Sequence, residues 1–319
     1  MNNRSIDKSD AEILKSLMMD ARVDLKELSA ECGLTPSAVL KRIKKLKDCG
    51  IIVGTRLELR QGVLGYPQEA TVGITADTSQ IDEVARKVRS IPNVIVCAKS
   101  MGRYNLFAHL FTKDLQELDK VVYSIKNIVG IRAITTNIHV EECLHKNDAS
   151  EKQAIGDKTK KPDATDLKII DALAEDSQMP FKEVGRRLGI SHETVRQRYE
   201  RMFRDGILRC SIVVDRSRIG YQGTAFYLIG CSERDSVELT LRALRGMQVF
   251  NKIDKVFGGA FDIMAIAPVK DLRDLGKLTD IIQKIPTVQN VETCILVFTY
   301  YSFLPRPRSS YKCDNIELC

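Results

Sequence analysis

Apolar residues recur at steps of four and three between Thr35 and Ile52 (TPSAVLKRIKKLKDCGII), where Val39, Ile43 and Leu46 share one helical face and Lys41, Arg42, Lys44, Lys45 and Lys47 cover the rest. The hydroxyl of Thr35 suits an N-cap, Pro36 the first helical position and Gly50 the residue past the last turn. Upstream, Ile13, Leu14 and Leu17 mark a first helix, and Leu25 and Leu28 a short second one ended by Gly33. Three short helices with Gly-Leu between the second and third predict a helix-turn-helix.

The chain writes this plan twice. At a constant offset of 156, Ile13 pairs with Ile169, Leu17 with Leu173, Asp20 with Asp176, Gly33 with Gly189, Thr35 with Ser191, Val39 with Val195, Arg42 with Arg198 and Gly50 with Gly206. Caps, turn glycines and core positions agree in one register over roughly fifty residues, which marks an internal duplication.

Each helical unit is followed by a strand-like segment ending in Gly-Tyr, at Tyr66 and Tyr221, and then by a second module. In the first half strands are expected at 70–75, 94–100, 106–111 and 131–140, with helices at 81–90 and 115–128. In the second half the strands fall at 224–230, 249–256, 263–267 and 291–303, with helices at 237–244 and 272–285. This βαββαβ order predicts a ferredoxin-like module in which two helices cover one face of a four-stranded antiparallel sheet. The other sheet face, carrying segments around Ile229, Val256 and Ile266, needs a partner, from the other module or from another chain. The fold class is therefore α+β: two winged helix-turn-helix domains (1–60 and 163–216) and two βαββαβ domains (67–145 and 222–304). A charge-rich linker (146–162) joins the halves, and a polar tail follows from 305 to 319.

Composition changes this picture little. The charged fraction is 29%, the hydrophobic fraction 44% and tryptophan is absent, all ordinary for a globular protein. A net charge of +7 and a pI near 8.9 suit a nucleic-acid partner without requiring one. The nine cysteines are odd in number, scattered and free of C-x-x-C pairs, so neither a disulfide framework nor a zinc knuckle is expected and a reducing, cytoplasmic compartment is. The N-terminal residues have no signal-peptide core, and no apolar run is long enough to span a membrane.

Each half resembles one subunit of the Lrp/AsnC, or feast/famine, transcription regulators. The motif is carried by Asp7, Asp10, Ile13, Leu14 and Leu17, then Leu25, Leu28, Gly33 and Leu34, then Val39, Arg42, Ile43, Leu46, Gly50, Ile51 and Ile52; Asp163, Asp166, Val195, Arg198, Tyr199, Met202, Gly206, Ile207 and Leu208 repeat part of it. Two copies in one chain depart from the family's usual single-copy subunit. The resemblance implies a DNA-binding regulator, not an enzyme, with no cofactor, double-stranded DNA as partner, an amino acid as effector and a homo-oligomer at least dimeric in the tandem chain.

In a helix-turn-helix the N-terminal residues of the last helix face base edges and nearby cations meet phosphates. That nominates Pro36, Ser37, Leu40, Lys41 and Lys44 toward bases, with Arg42 and Lys45 toward phosphate; Arg42 has the alternative of pairing with an acid of the first helix. In the second unit it nominates Ser191, His192, Glu193, Arg196 and Gln197 toward bases, with Arg198 and Arg201 toward phosphate. Arg196 and Gln197 offer bidentate contacts that Leu40 and Lys41 lack, so the units should read different half-sites, the second more discriminatingly.

The family's effector module carries a Gly-x-aromatic-Asp turn, here Gly102-Arg103-Tyr104-Asn105 and, after Gly258, Gly259-Ala260-Phe261-Asp262. Its amides would receive a carboxylate and Asp262 an ammonium; Asn105 departs from the usual Asp, which points to an altered preference. Turn geometry alone also explains such glycines. His139, Glu141, Cys143 and His145 alternate at steps of two, so an extended strand would line them on one face. Ligands strung along one strand diverge from an ion, and no metal site is assigned to them. Two alternatives share the architecture. Siroheme decarboxylases carry an Arg-Arg-aromatic-Gly run after the helix-turn-helix, where this chain has Val53-Gly54-Thr55-Arg56 and Arg209-Cys210-Ser211-Ile212, with only four histidines and none beside such a run. A DNA-organising or assembly protein without effector is the other, which the basic faces of both units disfavour.

Overall fold

The first half of the chain runs α1 (Lys8–Met19), α2 (Leu25–Glu31), α3 (Pro36–Asp48), β1 (Ile52–Leu59), β2 (Gln68–Ala76), α4 (Ile81–Arg89), β3 (Val94–Met101), β4 (Leu106–Thr112), α5 (Leu115–Lys126) and β5 (Ile131–His145). The second repeats it as α6 (Ala164–Glu175), α7 (Phe181–Leu188), α8 (His192–Arg204), β6 (Leu208–Val214), β7 (Gly223–Cys231), α9 (Ser236–Gly246), β8 (Lys252–Phe257), β9 (Ile263–Val269), α10 (Leu272–Gln283) and β10 (Val288–Tyr301). The structure, a computed structural model, describes residues 6–145, 160–233 and 236–301. The expected tail, and the expected linker up to residue 159, lie outside them. The chain falls into two compact units, one of residues 1–65 and 147–220 and one of residues 66–146 and 221–319. Among the described residues no helix is long and apolar enough to cross a membrane.

Local chemistry sets the helical unit. Side chains of Asp7, Asp24 and Thr35 cap α1, α2 and α3, and those of Asp163 and Ser191 cap α6 and α8, each satisfying amides that a helix start leaves unpaired. The strands expected to run on to Tyr66 and Tyr221 stop early, at Leu59 and Val214. Each gives way to a single 3-10 turn closed by a left-handed glycine, Gly65 and Gly220, both at φ 93°.

Neither wing strand pairs with a neighbour from its own half. β1 and β6 form an antiparallel two-stranded sheet with each other, from Leu59 opposite Leu208 to Ile52 opposite Val214. The exchange is reciprocal in the cores: Leu57 packs among Ile169, Leu173 and Met202, and Ile212 packs among Ile13, Leu17 and Leu46. The two helix-turn-helix copies therefore share one hydrophobic body.

Arg22 breaks the pseudosymmetry of that body. Its guanidinium donates to the carbonyls of Ser177 (2.9 Å) and Met179 (2.8 Å) and lies 4.6 Å from the Phe181 ring centre. The matching residue of the other copy is Gln178, whose amide donates to the Ala21 carbonyl at 3.3 Å. Arg22→Ala removes two charged hydrogen bonds and a cation–π contact and should destabilise the helical unit by about 2–3 kcal/mol. Urea unfolding of the variant checks this, and a destabilisation below ~0.5 kcal/mol would show the interaction to be incidental.

The second unit is a closed barrel with strand order β10-β3-β4-β2-β5-β8-β9-β7. Each half contributes a four-stranded ferredoxin-like sheet. The long last strand of each, β5 or β10, pairs along its first part with its own module and along its end with β8 or β3 of the other. Alternation then divides the side chains. Ala70, Val72, Ile74, Leu106 and Leu110 face helices α4 and α5, and Ala225, Tyr227, Ile229, Ile263 and Ala265 face α9 and α10. The opposite faces line the barrel interior, where Tyr104, Phe107, Phe226, Leu228, Val256, Phe261, Met264 and Cys294 form an apolar cluster. Phe107 stacks on Phe226 at 4.8 Å between ring centres. The apolar sheet faces that needed a partner find it within this one chain.

Candidate nucleic-acid interface

The last helix of each unit presents its N-terminal end and one full face to solvent. In α3, Pro36, Ser37, Leu40, Lys41, Lys44 and Lys45 are all exposed, while Val39 and Leu46 anchor the opposite side. Leu40 keeps 54% of its surface accessible, a large apolar side chain on an otherwise basic face. In α8, Ser191, His192, Arg196 and Gln197 are exposed over Val195, Tyr199 and Met202.

The exposed face of α8 carries its own acids. Arg196 donates to Glu193 (2.6 Å) and Glu200 (3.1 Å), and Gln197 donates to Glu193 at 3.1 Å. The Arg196 guanidinium holds the Glu193 carboxyl below its usual range. These are helix-surface pairs of small net energy, so a base edge or phosphate can replace them at little cost. Glu193 thereby tethers the two most informative side chains. On α3 the acid, Asp48, stands at the far end of the helix, and the N-terminal part of its exposed face carries Lys41 and Lys44 without an acid between them.

Three nominated cations have a different job. Arg42 donates to Asp7 (2.6 Å) and to Asp10 (2.6 Å), a residue only 3% exposed. Arg198 does the same with Asp163 (2.7 Å) and the fully buried Asp166 (2.9 Å), and Arg201 also reaches Asp166. In the structure Arg42, Arg198 and Arg201 neutralise buried or capping carboxylates of the first helix and lock it to the last, a structural role beside the phosphate role expected for them. The alternative weighed for Arg42 is the one found, and it holds in both copies. The signal was present in the sequence as the repeated D-x-x-D…R spacing.

This lock titrates. The hydrogen bond from Arg198, with the Asp166 amide, holds the Asp163 carboxyl down to about 2 from an ordinary 3.8. Asp7 is lowered for the same reason by Arg42. A carboxyl depressed on folding adds stability that is complete above its unfolded value and lost as pH falls through the folded one. Thermal midpoints of the helical unit should therefore drop between pH ~4 and ~2, and Asp163→Asn should flatten the profile there. An unchanged slope in that variant would contradict the assignment.

The effector turns have local partners within the barrel. Tyr104 and Phe261 are buried in the barrel interior, not presented to a ligand. Asn105 accepts from the Ala76 amide (2.8 Å) and donates to the Ala76 carbonyl (2.6 Å). Asp262, its counterpart, accepts from the Cys231 amide at 2.8 Å. The departure from Asp to Asn thus has a local reason: an amide satisfies both backbone groups of the β2 end, where a carboxylate only accepts. Arg103 pairs with Glu292 and lies 5.7 and 5.5 Å from the Tyr104 and Phe261 ring centres. Gly102 (φ 137°) packs against Thr293 and Cys294 of β10, and Gly258 (φ 105°) and Gly259 against Thr136 and Asn137 of β5. These turns seat one module on the other's last strand.

Nor do His139, Glu141 and Cys143 share a face. Register shifts between His139 and Glu141 and between Glu142 and Leu144 break the alternation. His139 enters the barrel interior beside His109, Glu141 is exposed, Cys143 packs near the α9 side, and the His145 side chain lies outside the described residues. The seven described cysteines are all free thiols. The grouping that sequence reasoning missed, Glu69, His109, His139, Lys252 and Asp254, is drawn from four strands and carries no local spacing signal.

Paired exposed helix-turn-helix units and a barrel of two ferredoxin-like modules set the architecture, and the chain's relatives identify the class as helix-turn-helix transcription regulators with a ligand-binding module. Three family models match: the winged helix-turn-helix DNA-binding domain over residues 6–53, the Lrp/AsnC ligand binding domain over 69–148 and the AsnC-type helix-turn-helix domain over 163–202. The chain belongs to the Lrp/AsnC family, as a tandem duplication of its unit. It is similar to the regulatory protein AsnC of Haemophilus influenzae (29% identity, 43% of this chain and 93% of that one). It is also similar to the HTH-type transcriptional regulator FL11 of Pyrococcus furiosus (29%, 42% and 88%). Over its whole length it shares its fold with the siroheme decarboxylase NirDL, with a TM-score of 0.65, 19% identity and 92% of both chains covered.

Proposed function

We propose that this regulator binds double-stranded DNA through both helix-turn-helix units, reads two unlike half-sites, and acts without chemistry of its own. The observation that carries the proposal is the contrast between two equivalent exposed faces on one hydrophobic body. α3 offers exposed lysines and Leu40, a phosphate-holding and methyl-contacting surface. α8 offers His192, Arg196 and Gln197, the last two with the planar groups that discriminate guanine and adenine edges. Because β1 and β6 fasten the two copies together, both heads belong to every molecule, and unlike halves are inherited by the DNA site.

Gel shifts with genomic fragments at rising salt test this. Specific complexes should weaken with a slope near −0.9 per neutralised phosphate. Arg42→Ala and Arg198→Ala should leave that slope unchanged while lowering stability. Absence of a shift with any fragment would overturn the proposal.

The effector belongs to the proposal too, with an amino acid as its class, supported by the ligand-binding family model over the first module. The glycine turns at 102–105 and 258–262 remain its proposed site, with their amides as donors to a carboxylate. Calorimetric titration with a panel of amino acids should give heat for one class, and no heat would argue for a ligand-free module. A homo-oligomer of the tandem chain is supported by exposed apolar residues on the outer helices and their ends, Tyr123 (66%), Val129 (72%) and Leu272 (76%). Light scattering should give a multiple of the 35.9 kDa chain mass. The decarboxylase reading draws on shared fold alone, and incubation with siroheme should yield no decarboxylated product.

A further inference from the structure

The barrel interior is built on a pseudo-twofold plan but filled unequally. Around one end, Thr71 stands opposite His109 and Asn137, with His139 beyond. At the matching positions of the other end, Phe226 stands opposite Ile266 and Cys294, with Leu296 beyond. One end is therefore apolar, and the other gathers Glu69, His109, His139, Lys252 and Asp254 around Thr71.

We propose that this polar end is a site for one divalent cation of the zinc class, formed by Glu69, His109 and His139 of the first module and Asp254 of the second. Three of the ligand atoms are already gathered, and Asp254 approaches them through His139. His139 Nδ1 lies 3.5 Å from Glu69 Oε1 and 3.1 Å from Asp254 Oδ2, and His109 Nε2 lies 3.1 Å from Glu69 Oε1. A tetrahedral zinc with bonds of about 2.0–2.1 Å sets its ligands roughly 3.3 Å apart. The ligand atoms of Glu69, His109 and His139 all fall within 4.8 Å of one another.

Hydrogen bonding supplies the independent argument. His109 Nε2 faces a carboxylate, so with a neutral ring that nitrogen carries the proton and Nδ1 accepts from the Thr71 hydroxyl at 3.0 Å. The Thr71 oxygen then accepts from His139 Nε2–H at 2.8 Å, which leaves His139 Nδ1 a bare lone pair. That atom is buried with no hydrogen bond although Asp254 Oδ2 is 3.1 Å away, and the other Asp254 oxygen is buried without a hydrogen bond too. The side chains of His139 and Asp254 are only 6% and 4% exposed. Acceptors facing acceptors in a buried space are costly unless a proton on the ring or a cation lies between them.

Lys252 marks where the positive charge belongs. Its ammonium sits 2.7 Å from Glu69 Oε1 and 3.2 Å from Asp254 Oδ2. At 18% exposure and on a flexible stem it can withdraw when a metal enters. Thr71 serves as the orienting partner outside the ligand set, able to accept from both rings once His109 shifts its proton to Nδ1 and coordinates through Nε2. A metal here would bridge β2, β4 and β5 to β8 and so fasten the two modules.

Full-length chain purified without a histidine tag and stripped with chelator is titrated with Co2+ and then Zn2+. We expect one equivalent per chain, the visible absorption of tetrahedral Co2+ displaced by Zn2+, and a raised thermal midpoint. His139→Ala should abolish the absorption, as should the isosteric Asp254→Asn if the first variant does not fold. Lys252→Gln should raise affinity at least tenfold. Absence of the absorption and of thermal stabilisation in the wild-type chain overturns the site, as does absorption that survives in a folded His139→Ala or Asp254→Asn chain.

Discussion

Alanine at Gly102 should destabilise the barrel by about 2–5 kcal/mol, combining backbone strain with overpacking. Gly102 has φ 137°, and a Cβ there would stand 2.9 Å from the Thr293 carbonyl oxygen and 3.1 Å from Cys294 Cα, both backbone atoms of β10 that cannot step aside. Gly33 provides the control. It is also left-handed, at φ 62°, but its Cβ would meet nothing within 4 Å, so Gly33→Ala should cost only about 1 kcal/mol. Urea denaturation of the two variants separates the readings of this turn. A large effect at Gly102 alone identifies it as the seat of one module on the other. Equal, small effects would return it to an ordinary turn and reopen its use as a ligand cradle.

The second large effect falls on binding. Lys41→Ala, Lys44→Ala and Arg196→Ala together should weaken site-specific DNA binding roughly 100- to 1000-fold, since base-edge contacts are worth about 1–3 kcal/mol each. The fold should be unaffected, because all three side chains are exposed and alanine is the strongest helix former. Removing lysines that meet phosphate should also make the salt slope shallower by ~0.9 for each phosphate no longer neutralised. Anisotropy titrations with specific and random duplexes distinguish the parts: reduced discrimination follows Arg196, and a uniform weakening follows the lysines. Unchanged specific affinity in a folded triple variant would remove the recognition role from both helices.

The helices and the duplication were legible because they rest on local chemistry: caps at Thr35 and Ser191, apolar steps at Val39 and Leu46, and left-handed glycines past helix ends. The βαββαβ order was legible for the same reason. The strand exchange of β1 and β6 was not, since nothing in either segment tells whether its partner lies nearby or 156 residues away. Barrel closure was half legible: apolar sheet faces demanded a partner, but its identity depends on β5 and β10 running beyond their own sheets. At the site, the basic face of α3 could be read directly. The D-x-x-D…R spacing offered Arg42 an acid of the first helix, but Arg198 and Arg201 looked like exposed cations because burial of Asp166 is a tertiary property. Tyr104 and Phe261 likewise lay in a recognised turn but point into a core that only the joined modules create. The interior cluster of Glu69, His109, His139 and Asp254 had no sequence signature, being assembled across strands from both halves.

Two diverged heads on one body should read two different half-sites, and selection of bound genomic DNA by the full-length chain, followed by alignment of the recovered sequences, decides whether they do. The expected result is a motif of two unlike half-sites, the more sharply specified one losing its preference in Arg196→Ala, while Lys41→Ala weakens binding and leaves the motif unchanged. Recovery of a symmetric palindrome, or of sequences no different from the input, would contradict it.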